Sequence, residues 1–161
     1  MARGKAGRVQ ANQAHQPGSP RRVLLVEDEQ RLRGIVSRYL RAKGHIVTEA
    51  DSATSAAAAL ARETFDVMLL DVNLPDSTGW DVLRRLENGD TRGQPRPCVV
   101  IVSAVPPAPS RLAQFRPDAV LNKPFPIDAL ERLVATGCRA EPAAGDLHVP
   151  GSVRPPDAGG D

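Results

Sequence analysis

Polar side chains follow four short apolar runs of the chain, each at the point where the run ends. They comprise three carboxylates, one hydroxyl and one ammonium: Glu27, Asp28, Asp71, Ser103 and Lys123. Three carboxylates in one pocket repel each other, and a hard divalent cation relieves that repulsion. Mg²⁺ takes oxygen ligands and keeps several waters, which leaves room for a phosphoryl oxygen. With an ammonium and a hydroxyl to contact that phosphoryl group, the set is suited to phosphoryl transfer onto an aspartate.

Alternating strand and helix patterns would bring these residues together. The apolar runs have strand length and begin at Val23, Ile46, Val67, Cys98 and Ala119. Apolar residues three and four positions apart predict helices over 30–43, 53–62, 80–86 and 127–134. Strands that are apolar on both faces indicate a parallel sheet with helices on each side. Because ligands bind beyond the carboxyl ends of such strands, we expect the polar residues to share one edge of the sheet.

Residues 22–137 resemble the receiver domain of bacterial two-component response regulators. The segments that carry the resemblance are VLLVEDE, MLLDVNLPDSTGWDVL, VVIVSA and LNKPF. Each segment is common alone, but the four occur in the family's order and at its spacings. The resemblance implies an α/β, flavodoxin-like (βα)₅ fold, in which a doubly wound, five-stranded parallel sheet has the order 2-1-3-4-5.

The resemblance also implies roles for the polar residues. Asp71 would be the phospho-acceptor, and Lys123 and Ser103 would contact the phosphoryl group. The implied Mg²⁺ site consists of Glu27, Asp28, Asp71 and the main-chain carbonyl of Asn73. Pro124 would hold the lysine peptide in a geometry that is often cis. Gly79 matches the family's turn glycine, where a side chain would interfere.

Two departures from the family pattern bear on switching. Val120 stands three residues before the lysine, where the family usually has a Tyr or Phe that swings inward, and valine is stiff at χ1. Proline residues occupy the stretch where the fourth helix normally begins: Pro106, Pro107 and Pro109. Because proline disrupts a helix interior, we expect a fourth helix shortened to about 110–115 or replaced by a loop. The family's dimerisation through that region is therefore in doubt.

Length and composition indicate one compact domain. The 161 residues carry a formal net charge of +2, which is too near neutral to imply nucleic acid binding by charge alone. We expect a receiver domain over 21–138, between a disordered basic tail over 1–20 and a disordered Pro/Gly-rich tail over 139–161. The sequence shows neither a secretory signal nor an apolar run near the roughly 20 residues of a membrane span. Cys98 and Cys138 are too few and too far apart for a disulfide framework, which suits the cytoplasm.

The favoured function is a stand-alone receiver in a two-component phosphorelay. It would accept a phosphoryl group on Asp71 from a sensor histidine kinase or phosphotransfer protein and signal to an unknown protein by contact, as a monomer or weak dimer. It would not be an enzyme beyond self-catalysed phosphotransfer and slow dephosphorylation. We expect no contact with nucleic acid, because no helix-turn-helix motif is present, and none with a membrane, because no apolar run is long enough to span one.

Two other functions remain open at this stage. The first is a phosphorylation-independent interaction module with weakened switching, which Val120 and the proline-rich stretch motivate. The second is a Mg²⁺-dependent phosphatase with Asp71 as nucleophile. The second is disfavoured because the stretch after Asp71 lacks the further acid, two residues on, that haloacid-dehalogenase-like phosphatases use.

Overall fold

One six-stranded sheet forms the centre of the part of the chain that the computed structural model describes, residues 19–89, 94–138 and 147–148. The strands are β1 (Arg22–Val26), β2 (Ile46–Ala50), β3 (Val67–Asp71), β4 (Cys98–Ser103), β5 (Ala119–Asn122) and β6 (Leu147–His148). The helices are α1 (Gln30–Ala42), α2 (Ala53–Arg62), α3 (Gly79–Glu87), α4 (Pro109–Phe115) and α5 (Ile127–Thr136). The first five strands are parallel in the order β2-β1-β3-β4-β5, which confirms the predicted flavodoxin-like topology.

Helices cover both faces of the sheet, because alternate residues of each strand point to opposite faces. On one face Leu24, Met68 and Ile101 pack with α2, α3 and α4. On the other face Val23 and Leu69 pack with α1 and α5. All five side chains are fully buried, so the strands read as continuous apolar runs and form a rigid base for the residues that follow them. Among the described helices, none combines the length and apolar character needed to cross a bilayer.

The fourth helix is short, as predicted from its prolines. It spans seven residues and begins at Pro109, and Ala108 before it is extended. Proline is tolerated in the first turn of a helix, where its missing N–H would have no partner, but not farther in. Pro106 and Pro107 accordingly lie before the helix. Val120 is 2% exposed and packs in the core instead of reaching the surface.

No sequence pattern predicts β6, which lies within the C-terminal segment expected to be disordered. It pairs antiparallel with β5, with Leu147 opposite Leu121 and His148 opposite Val120. Without this pairing β5 would be an edge strand with unpaired backbone groups, which a passing segment can satisfy. Residues 147–148 thus pair with the sheet, and the remainder of both predicted tails, apart from residues 19–20, lies outside the described residues, so the disordered tails stay a prediction.

The two cysteines, which are too few and too far apart in the sequence to predict a disulfide framework, meet in the fold. Cys98 opens β4 and Cys138 follows α5, and their Cα atoms are 6.1 Å apart in a disulfide. This separation is typical of disulfides. The 40-residue spacing hid the contact because α5 runs back toward the edge of the sheet where β4 begins.

Candidate functional site

The carboxyl edge of the sheet gathers the predicted polar residues. β1, β3, β4 and β5 are neighbours with parallel register: Val26 lies opposite Leu70, and Asp71 opposite Val102. Asn122 pairs with Ser103 on the next strand. The residues that end or follow these strands therefore lie at one edge, as the sequence predicted.

Three carboxylates converge at this edge. Oxygen atoms of Glu27, Asp28 and Asp71 all lie within 4.8 Å of one another. Glu27 and Asp71 are 3% and 5% exposed, whereas Asp28 is open to solvent. Oxygen ligands at this spacing, with one side open to water, fit a hard divalent cation such as Mg²⁺, which retains several waters when bound.

Lys123 partly balances the charge of the cluster. Its Nζ donates hydrogen bonds to Glu27 Oε2 and to Asp71 Oδ2, each at 2.8 Å. Burial alone would lower the pKa of Lys123, but the hydrogen bonds to Asp71 and Glu27 outweigh it and raise that pKa. The ammonium therefore remains charged beside the carboxylates. The Lys123–Pro124 peptide is cis, as the resemblance implied.

Glu27 is the carboxylate that burial perturbs. Loss of solvent raises its pKa above 4.5, and the negative charge of Asp71 raises it further. Hydrogen bonds from Lys123 and from the Glu29 backbone N–H, the latter at 3.1 Å to Oε1, oppose that rise without cancelling it. Burial and the neighbouring carboxylate therefore disfavour the charged form of Glu27, and a bound cation would favour it.

A tight loop after β3 orients Asp71. The backbone N–H of Asn73 donates to Asp71 Oδ1 at 2.9 Å, and that of Gly79 donates to the Val72 carbonyl at 2.8 Å. An isolated β-bridge joins Asn73 to Thr78 across the loop. The predicted ligand Asn73 is thus tied to the phospho-acceptor candidate through its own N–H, on the exposed side of the pocket.

Gly79 meets the requirement that the resemblance assigned to it. A Cβ at this position would lie 2.4 Å from the carbonyl oxygen of Asp71. Only glycine lets α3 begin this close to the end of β3.

Ser103 lies at the end of β4 and is 3% exposed. Its hydroxyl donates to the Val105 carbonyl at 2.7 Å and accepts from the Val105 N–H at 3.3 Å. The hydroxyl therefore stabilises the loop that leads to α4. It would have to break its hydrogen bonds with Val105 to contact a phosphoryl group on Asp71.

Two residues at this edge were not identified from the sequence. Arg33 donates from Nη1 to the carbonyls of Glu27 and Asp28, at 2.8 and 3.2 Å. Asp76 accepts three hydrogen bonds from the start of α2. The run Pro75–Ser77 is a recognisable turn signal, but no local pattern indicates that its acid reaches another helix.

Sequence comparisons agree with this geometry. The family model described as response regulator receiver domain matches residues 23–135. The chain is 39% identical over 113 residues to the probable transcriptional regulatory protein TcrX of Mycobacterium tuberculosis, covering 69% of this chain and 47% of that protein. It is 38% identical over 116 residues to the response regulator protein FleR of Pseudomonas aeruginosa, covering 71% and 24%. The chain thus spans less than half the length of these curated relatives.

The structural comparison covers the same region. The signal receiver domain of a putative Luxo repressor protein from Vibrio parahaemolyticus superposes with a TM-score of 0.65 at 27% identity, covering 74% of this chain and 91% of that one. The family match extends from β1 to α5 and includes the whole acidic edge. The chain belongs to the response regulator receiver domain family.

Proposed function

We propose that Asp71 accepts a phosphoryl group from a histidine kinase or phosphotransfer protein in a Mg²⁺-dependent reaction. The observation that carries the proposal is the position of Lys123, which bridges two of three carboxylates clustered within 4.8 Å. This arrangement combines a nucleophile, a charge-balancing ammonium and oxygen ligands for a metal at one solvent-accessible edge.

Each side chain of the site has a distinct task in the proposed transfer. A carboxylate oxygen of Asp71 attacks the phosphorus of the donor's phosphohistidine, the P–N bond breaks, and the imidazole nitrogen leaves with its electron pair. Glu27, Asp28, Asp71 and the Asn73 carbonyl would hold Mg²⁺, which shields the phosphoryl charge when bound.

Lys123 and Ser103 would stabilise the product. The ammonium of Lys123, already 2.8 Å from Asp71 Oδ2, pairs with a phosphoryl oxygen as a compact charge. The Ser103 hydroxyl leaves Val105 and donates to another phosphoryl oxygen. That exchange alters the loop before α4, so the phosphorylated and unphosphorylated states present different surfaces.

The partners follow from this chemistry. Response regulators interact with histidine kinases and with downstream targets, and we propose the same classes of partner for this protein. We further propose that it acts in the cytoplasm as a monomer or weak dimer and contacts neither nucleic acid nor membrane. The protein catalyses only its own phosphorylation and slow dephosphorylation. In a reducing compartment Cys98 and Cys138 are expected mainly as thiols. No observation favours the phosphorylation-independent module.

Mass spectrometry after incubation with acetyl phosphate and MgCl₂ tests the proposal. We expect an adduct of about 80 Da, one phosphoryl group, that is lost in Asp71→Asn and when EDTA removes the metal. Asp51→Asn is the matched control, because Asp51 is an exposed acid near the same edge and should not affect the adduct. Absence of an adduct with acetyl phosphate and with a phosphorylated histidine donor would refute the proposal.

A further inference from the structure

We propose that Asp76 is a positioning residue for the metal site, because it fastens the loop that carries Asn73 to the start of α2. The inference rests on the proposed Mg²⁺ site and extends it to a residue outside the ligand set. In the proposal, loss of this fastening weakens Mg²⁺ binding although Asp76 never touches the ion.

Both carboxylate oxygens of Asp76 are engaged by α2. Oδ1 accepts from the Ala53 N–H at 2.8 Å, and Oδ2 accepts from the Thr54 N–H at 2.9 Å and the Thr54 hydroxyl at 2.7 Å. The first N–H groups of a helix have no partner within it. A carboxylate from another element therefore caps α2 with two backbone bonds and one side-chain bond.

Val72 and Leu74 of the loop between β3 and α3 pack against the core, but the other hydrogen bonds of the loop are local. Its remaining hydrogen bonds run within the loop or to its own flanks: Asn73 to Asp71, Gly79 to Val72, and Ser77 and Thr78 to Asp81. The bonds of Asp76 instead join the loop to an element 22 and 23 residues away in sequence. Together with that apolar packing, they set where the loop lies across the edge of the sheet.

The anchor itself is well fixed relative to the metal site. The Ala50 carbonyl, three residues before Ala53, accepts a hydrogen bond from the Glu27 N–H at 3.0 Å. Asp76 therefore links the loop of Asn73 to the segment that holds Glu27. The Thr54 hydroxyl, followed by the Ala53 and Thr54 N–H groups, lowers the pKa of Asp76 to about 2, so the anchor stays ionised at neutral pH.

Calorimetric titration of the intact chain with MgCl₂ tests the inference. Asp76→Asn leaves one acceptor oxygen where two are needed, so we expect Mg²⁺ affinity to fall about tenfold, as for other residues that orient metal ligands. Ser52→Ala is the matched control, because it weakens the same helix end without touching the loop. Its affinity should stay within about twofold of wild type. Thr54→Val removes the hydroxyl that donates to Asp76 Oδ2, and it should weaken Mg²⁺ binding less than Asp76→Asn does.

The outcomes separate the inference from the proposed function. Wild type that binds no Mg²⁺ would refute both. Wild type that binds, with Asp76→Asn equally tight, would overturn the role of Asp76 and leave the metal site standing. Equal weakening in Asp76→Asn and Ser52→Ala would assign the effect to the helix end and also overturn the inference. If the effects of Asp76→Asn and Thr54→Val do not add in the double variant, the two residues act through one contact, as proposed.

Discussion

Replacing Gly79 with alanine should damage both the fold and the site, because the new methyl group has no room. Its Cβ would lie 2.4 Å from the Asp71 carbonyl oxygen and 3.1 Å from Val72 Cα. Both are backbone atoms, one of the phospho-acceptor candidate and one of the residue after it, so no side chain can rotate away. The methyl group must withdraw by about 0.6 Å to reach even 3.0 Å, a separation below which real Cβ atoms almost never come.

The expected size of the effect follows from two opposing terms. Alanine gains up to about 1 kcal/mol over glycine in a helix, whereas overpacking costs about 1–3 kcal/mol. We expect a net loss of about 1–2 kcal/mol in the free energy of unfolding. Displacement of Asp71 from Lys123 should also slow phosphorylation by about tenfold or more.

Gly34→Ala in α1 is the matched control for this substitution. The nearest neighbour of its Cβ would be Arg38 Nη1 at 3.9 Å, an ordinary contact with a flexible side chain. We expect this variant to gain roughly 0.5–1 kcal/mol and to be phosphorylated normally. Urea unfolding of the metal-free proteins measures the first effect, and the rate of acetyl phosphate labelling the second. A Gly79→Ala variant as stable and as reactive as wild type would refute the steric argument.

Three further predictions concern groups at and away from the site. Because the pKa of Glu27 is raised in the fold, the unfolding free energy of the metal-free protein should fall as pH rises from 4.5 toward that raised value. Glu27→Gln should abolish this slope in urea unfolding and should also weaken Mg²⁺ binding. An unchanged slope in the variant would contradict the assignment to Glu27. Burial lowers the pKa of His45; the charge of Arg21 lowers it further, and Glu131 opposes the shift without cancelling it. Just below pH 6.5, His45 therefore gains a proton only in the unfolded chain. Stability should fall as pH drops from 6.5 to the lower folded pKa, and His45→Asn should lose this component; a variant that keeps it would contradict the prediction. The Cys98–Cys138 disulfide closes a 40-residue loop, so oxidised protein should be about 4 kcal/mol more stable than reduced protein in urea unfolding. The stability of Cys138→Ser should not change with reductant. Equal stability of oxidised and reduced wild type would contradict the prediction.

The features that could be predicted from sequence depend on local rules. Apolar runs on both faces predicted a parallel sheet, and parallel strands require their carboxyl ends to share an edge. The convergence of Glu27, Asp71 and Lys123 follows from that geometry. The short α4 was predictable for a similar reason, since proline fits only the first turn of a helix.

The features that were missed depend on contacts between distant segments. Nothing near Asp76 indicates that its carboxylate caps α2, because the helix end it serves is 22 residues earlier. Cys98 and Cys138 meet only once α5 has packed back on the sheet. The two-residue strand β6 is too short for any periodicity, and its pairing depends on the free edge of β5.

The measurement that tests the central claim most directly is the position of the acyl phosphate in the chain. After labelling with acetyl phosphate and MgCl₂, borohydride reduces an aspartyl phosphate to homoserine, which tandem mass spectrometry locates. We predict homoserine at residue 71 alone, with none at Glu27 or Asp28 and none at all without metal. Modification of another acid with Asp71 intact would contradict the claim that the clustered carboxylates and Lys123 activate this one residue.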